Sequence, residues 1–205
     1  MSGHLIATVA GVAVPVDEVD EWEARLRSGP RAAALPASGT SEGRQLRRWL
    51  TQLIVTERLV TAEAAARGLT VADAPTEADL LPDVTARLEI GSVAAAVLAD
   101  PRARALFADV TAGVEVTDDD VAGYHVRNPL RFAALCPGAH GWRAPAVVPP
   151  PLGQVRHAIT EHLLGAARRR AFRVWLDAHR AALVRLAPGY EHPGDPRQPD
   201  NTHRH

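Results

Sequence analysis

Apolar residues recur every four positions between Leu152 and Leu186: Val155, Ile159, Leu163, Ala167, Ala171 and Trp175, continued by Ala178, Ala182 and Leu186. This spacing predicts a single apolar face on one long helix. No proline interrupts the stretch, while Pro149-Pro150-Pro151 mark a start and Pro188-Gly189 a stop. At 1.5 Å per residue such a helix is roughly 50 Å long. Its apolar face needs partners, and shorter helices from the N-terminal half are the candidates. The second-strongest pattern runs from Glu42 to Arg67, with Leu46, Trp49, Leu50, Leu53, Ile54, Val60 and Ala64 on one broad face and Gly68 just beyond the end.

The remaining elements are shorter. Leu5 to Val16 alternates small and β-branched residues around Ala10-Gly11, which predicts a short strand or hairpin. Asp17 or Asp20 caps a helix through Val19, Trp22 and Leu26 that ends by Ser28-Gly29-Pro30, and an Ala/Pro/Ser/Gly-rich surface loop follows to Gly43. Thr76 with Asp79 reads as a capping box, followed by a helix broken near Gly91 and carrying Leu88, Val93, Val97 and Leu98. Asp100-Pro101 opens a helix through Leu106 and Phe107. Thr117-Asp118-Asp119-Asp120 caps another, bearing Val121 and Tyr124 and ended by Asn128-Pro129. The three aspartates suit a helix dipole better than a metal.

The order of these elements resembles the N-terminal module of SurA-type and PrsA-type foldases. The motifs are Val9-Ala10-Gly11-Val12-Ala13-Val14 before Asp17-Glu18-Val19, then Leu53 to Leu59, then Glu63 to Val71 with its Gly68-Leu69-Thr70-Val71 exit. The last is Val116 to Val121 with Tyr124 and Asn128-Pro129. The match covers roughly residues 5–130, with Ala10 where the family usually has asparagine. In those foldases the last motif leads into a parvulin prolyl isomerase domain, but here only a proline-rich connection, 130–151, precedes the long helix. The resemblance therefore implies the helical substrate-holding module without the isomerase, although the family works outside the cytoplasm. The expected architecture is all-α, a single helical domain over 1–187 with a minor N-terminal β element, followed by a tail over 188–205.

Composition narrows the function classes. Of the 205 residues 46% are hydrophobic and 23% charged, with a net charge of −1, so no whole-molecule field gathers nucleic acid or acidic lipid. No lysine occurs, which removes Schiff-base chemistry, and one cysteine removes an intramolecular disulfide. No export signal or membrane segment is legible, and a cytoplasmic location is expected.

Candidate chemistry concentrates in two places. The tail brings His192, Asp195, Asp200, His203 and His205 within fourteen residues, the ligand types of a zinc or iron site. A solvated chain end, or a strap docked through Tyr190 and the prolines, accounts for the same residues without metal. Cys136 and His140, four apart in the proline-rich loop, could pair a thiolate with a base or serve as two ligands. His157-Ala158-Ile159-Thr160-Glu161-His162 has one residue too many for an inverted zinc-protease motif, leaving a surface His157–Glu161 pair. Arg168-Arg169-Arg170 fan over a mostly solvated face. Trp22, Trp49 and Trp175 fall on apolar faces where core packing is the default; Trp49, Trp175, Tyr190 and the loop residue Trp142 are the candidate partner contacts.

The functional expectation is a non-enzymatic, chaperone-like or accessory protein that binds apolar peptide or a partner protein and needs no cofactor. The alternative is a metal-dependent or small-molecule-modifying enzyme built on the tail histidines with Cys136 and His140. A homodimer exchanging the long C-terminal helix fits the pattern as well.

Overall fold

A computed structural model describes residues 4–133 and 148–195. Strands β1 (Leu5–Val9) and β2 (Val12–Pro15) form a hairpin that runs directly into α1 (Val16–Arg27); a 3-10 turn (Ala32–Ala34) leads to the long α2 (Ser41–Ala66). Four short helices follow: α3 (Glu77–Leu80), α4 (Val84–Ile90), α5 (Ser92–Val97) and α6 (Pro101–Val110). Then come α7 (Asp118–Arg127), the 32-residue α8 (Leu152–Leu183) and a terminal strand, β3 (Val184–Leu186).

The architecture is not all-α. The three strands form an antiparallel sheet in the order β2-β1-β3, with Ala7 opposite Leu186 and Val9 opposite Val184. The hairpin alone leaves one edge of β1 unpaired, and the residues after α8 close it. Leu186, expected on the helix, is therefore a strand residue, and Leu183 O instead accepts a bond from Ala10 N at 2.8 Å. The hairpin turn places Ala10 at φ 48° and Gly11 at φ 80°. Glycine adopts that region freely, but alanine is strained there.

Helix starts follow local chemistry. Thr40 caps α2 by accepting from Gly43 N at 3.1 Å, and a Cβ at Gly43 would lie 2.4 Å from Ala37 O. Asp83 and Asp100 cap α4 and α6, and α3 and α7 each carry a full capping box. Neither Asp17 nor Asp20 caps α1. Pro15 occupies the N-cap and the helix starts at Val16, so Asp17 falls in the first turn, where its charge favours the dipole.

Two cores result. The body core joins Ile6, Val9 and Val14 of the hairpin to Val19, to α2, whose residues 50–56 are all buried, to α4–α6, and to Phe172 and Leu176 of α8. A satellite core consists of Val121, Val155 and Ile159, with Tyr124, Phe132 and Leu163 packed around it. Helix α8 belongs to both. Its buried residues are Val155, Ile159, Arg169, Phe172 and Leu176, so the expected stripe holds for the first turns and then gives way to a different face. The reason is geometric: a strict four-residue step advances about 400° and drifts 40° per repeat on a 3.6-residue helix. Arg169, from the arginine run, consequently turns inward and donates to Glu89 Oε2 at 2.8 Å and Leu80 O at 3.2 Å. Among the described residues no helix is long and apolar enough to cross a membrane.

Candidate functional site

The feature with the most concentrated chemistry is a cavity of about 160 Å³ between α2, α8 and the α4–α5 junction. Helix α2 contributes Gln52 and Thr56, one turn apart on the same face and both buried. Helix α8 contributes Arg173, Leu176, Asp177 and Arg180. The α4–α5 break at Gly91, whose φ of 89° stops α4 and starts α5, turns Ser92 toward the same space. The segment after β3 lies against α2 and adds His192.

A continuous hydrogen-bond network lines the inner wall. Arg180 donates from Nη1 to Thr56 Oγ1 and from Nη2 to Gln52 Oε1. Thr56 Oγ1 donates onward to Gln52 O at 2.7 Å, and Gln52 Nε2 donates to Tyr190 O at 2.9 Å. The C-terminal segment is further held by Arg48 Nε donating to Gly189 O at 3.0 Å and Ala187 N to Ile6 O at 2.8 Å. The acceptors of Arg180 are thus neutral, although burial of its guanidinium disfavours the charged form and lowers its pKa, with Asp177 acting in the opposite sense. An arginine keeps its charge all the same. Burial, and then the Arg180 cation, also lower the pKa of His192, outweighing Asp177 and Asp195, so its imidazole is neutral near pH 7.

Three of the residues singled out in the sequence meet here. Trp49 donates from Nε1 to Ser92 Oγ at 3.3 Å, Tyr190 supplies the carbonyl that orients Gln52, and His192 lines the cavity. Asp195 N donates to His192 O at 2.9 Å, so that aspartate closes a turn beside it. Trp175 lies elsewhere. It packs on the body core, stacks on Phe172 and His179 with centroids 5.8 and 4.0 Å apart, and sits under the Arg67 guanidinium at 5.5 Å. Cys136, His140, Trp142, Asp200, His203 and His205 lie outside the described residues. Among the described residues no three His, Cys, Asp or Glu side chains are grouped to hold a metal. His157 and Glu161 pair at 3.2 Å on the exposed surface.

Sequence reasoning missed Gln52, Thr56 and Arg180. A signal was present: Arg180 continues the Phe172–Leu176 face at four-residue spacing, and Gln52 and Thr56 interrupt the apolar run of α2 one turn apart. A second grouping also went unnoticed. On the satellite core Tyr124 Oη lies 3.2 Å from His162 Nε2, and Phe132 packs edge-on to the same imidazole at 6.0 Å.

A family model described as a family of unknown function (DUF7158) matches residues 5–42, the hairpin, α1 and the loop to α2. No curated protein and no solved structure matches the chain.

Proposed function

We propose that this chain is a non-enzymatic accessory protein that holds an apolar peptide or a segment of a partner protein, with the cytoplasm as its expected compartment. The observation that carries the reading is the unit formed by α7 and the first turns of α8. Its own core is three residues, yet a half-buried cluster of Tyr124, Phe132 and His162 flanks that core, and Val126 of α7 and Leu130 just after it are 77% and 51% exposed. Aromatic groups with a polar handle and exposed aliphatic side chains in one short segment are the composition of a contact surface. The return of α8 onto α2, α4 and α6 also agrees with the substrate-holding module that the resemblance to SurA-type and PrsA-type foldases implies.

The test is fluorescence anisotropy of labelled apolar peptides titrated with the full chain and with a Val126→Asp/Leu130→Asp variant. Saturable binding that weakens about tenfold or more in the variant supports the reading, since removing two apolar contacts and adding two charges costs more than ~1.4 kcal/mol. Equal binding by both proteins, or none by either, removes it. An exchanged homodimer, in which α8 of each copy packs on the other's α2, belongs to the same proposal; sedimentation equilibrium at the mass of one chain would exclude it.

A further inference from the structure

The cavity beside Arg180 has an unbalanced charge inventory. Its charged lining residues are Arg173, Asp177 and Arg180, and His192 is neutral, which leaves one net positive charge. Arg180 spends two of its five N–H donors on neutral acceptors, Thr56 and Gln52. Arg173 uses Nη1 on a neutral acceptor as well, Glu89 O at 3.2 Å. Among the described residues no carboxylate forms an ion pair with either guanidinium. A guanidinium carried into a confined space with Asp177 acting on it only through space, and no carboxylate hydrogen-bonded to it, is the arrangement that an incoming oxyanion completes, since its remaining donors form a fork matched to two oxygens.

We propose that this cavity is a binding site for a carboxylate, which the free donors of Arg180 grip from within while Arg173 faces it from the exposed side. The inventory also selects the ligand class. A monoanion neutralises the single excess charge, whereas a phosphate dianion would leave an excess of negative charge beside Asp177. A cavity of about 160 Å³ admits a carboxylate on a short stem rather than a bulky side chain. The carboxylate could belong to a small organic acid or to a peptide's C-terminus, and the site chemistry is the same for both. The proposal uses none of the α7 and α8 residues on which the peptide-holding role rests, so either can fail alone.

The experiment is an amide NMR titration of the full chain with acetate, with inorganic phosphate, and with a short alanine peptide as free acid and as C-terminal amide. Saturable shifts at Ser92 and at residues flanking Arg180 are expected with acetate and the free-acid peptide, and markedly weaker binding with phosphate and the amide. Arg180→Gln should weaken carboxylate binding at least tenfold. Because Arg180 also ties α8 to α2, that variant could unfold, so Asp177→Asn is the second arm. Asp177 is exposed, and removing its charge should tighten binding about threefold to fivefold if the site holds an anion. A free-acid peptide binding far more tightly than acetate identifies a chain terminus as the source; equal affinities identify a small acid. Shifts that never saturate, an unchanged affinity in Asp177→Asn, or phosphate binding as tightly as acetate would each overturn the proposal.

Discussion

Twenty-four buried apolar residues from the hairpin, five helices with their connections and the second half of α8 meet in the body core, whereas α7 and the first turns of α8 bury three. The body is also closed by backbone hydrogen bonds, since β3 returns from the far end of α8 to pair with β1. Among the described residues the α7 unit has no strand pairing of this kind: its ten-residue helix packs on α8 and carries the pair Arg156–Asp118 and the Tyr124–His162 contact. A helix of that length is marginal without tertiary packing. The difference teaches where the molecule can open. Local opening of α7 costs little burial, so the surface proposed to hold a peptide sits where the fold buries least, as binding elements tend to.

The comparison breaks most sharply at Phe172. It is 1% exposed, lies 5.0 Å from Phe107 and 5.8 Å from Trp175, and joins α8 to α6. Phe172→Ala should cost about 3–5 kcal/mol and lower the midpoint of chemical denaturation for the whole chain, α7 included. Next comes Ile159→Ala in the satellite core, also 1% exposed. The expected loss is about 2 kcal/mol, the low end for a buried aliphatic truncation, because a small core at the edge can collapse around the gap. Hydrogen exchange should show that loss at α7 amides, with α2 amides protected as before. A uniform drop across both helices would mean that the two cores are one cooperative unit.

Much of this division was legible in the sequence, and what was not has identifiable causes. The element order from the hairpin to α8 followed from caps, proline breaks and periodicity. The sheet was not, because β3 is three residues long and its Val184-Arg185-Leu186 reads equally as helix until β1 is in place to accept it; strand pairing is a tertiary fact. The second half of α8 departs from the i+4 stripe because 3.6-residue geometry rotates that stripe away from the core. Trp175 stayed on an apolar contact, but Phe172, Leu176 and Arg180 hold the face toward α2. The cavity was half visible. Trp49, Tyr190 and His192 were noticed for their own chemistry, while Arg180 and its partners Gln52 and Thr56, 124 to 128 residues apart in the chain, are joined only by the fold.

A smaller and opposite effect is expected in the hairpin. Ala10 is exposed and holds a φ of 48°, a region asparagine tolerates while suiting an Asn-Gly turn. Ala10→Asn should raise the stability of the body by up to about 1 kcal/mol. The same exchange experiment should then show slower opening of β1, β3 and α2 with α7 unchanged. A matching gain in α7 would contradict the independence argued above.

The smallest effect separates the two regions by acid. In the body, burial raises the pKa of Glu23, but hydrogen bonds and charge from Arg27 and Arg47, at 2.8 and 2.6 Å, outweigh it, and the carboxylate is held below its ordinary value. In the α7 unit, hydrogen bonds from the Thr117 hydroxyl and backbone N–H lower the pKa of Asp120. Both are folded-state depressions, so each carboxylate contributes stability that is fully present above its unfolded value near pH 4 and disappears as pH falls through the folded value. The two sites lose different things. Protonating Glu23 weakens its pairs with Arg27 on α1 and with Arg47, the one of the two that joins α1 to α2, inside a body that the large core still holds. Protonating Asp120 weakens the bonds it accepts from Thr117 N and Oγ1, one half of the capping box of a helix whose one buried residue is Val121. Between pH 5 and pH 3 the amides of α7 should therefore lose protection before those of α1 and α2, and Asp120→Ala should abolish the acid dependence in α7 alone. Protection of α7 that stays flat across that range would show that the carboxylate cap contributes nothing measurable.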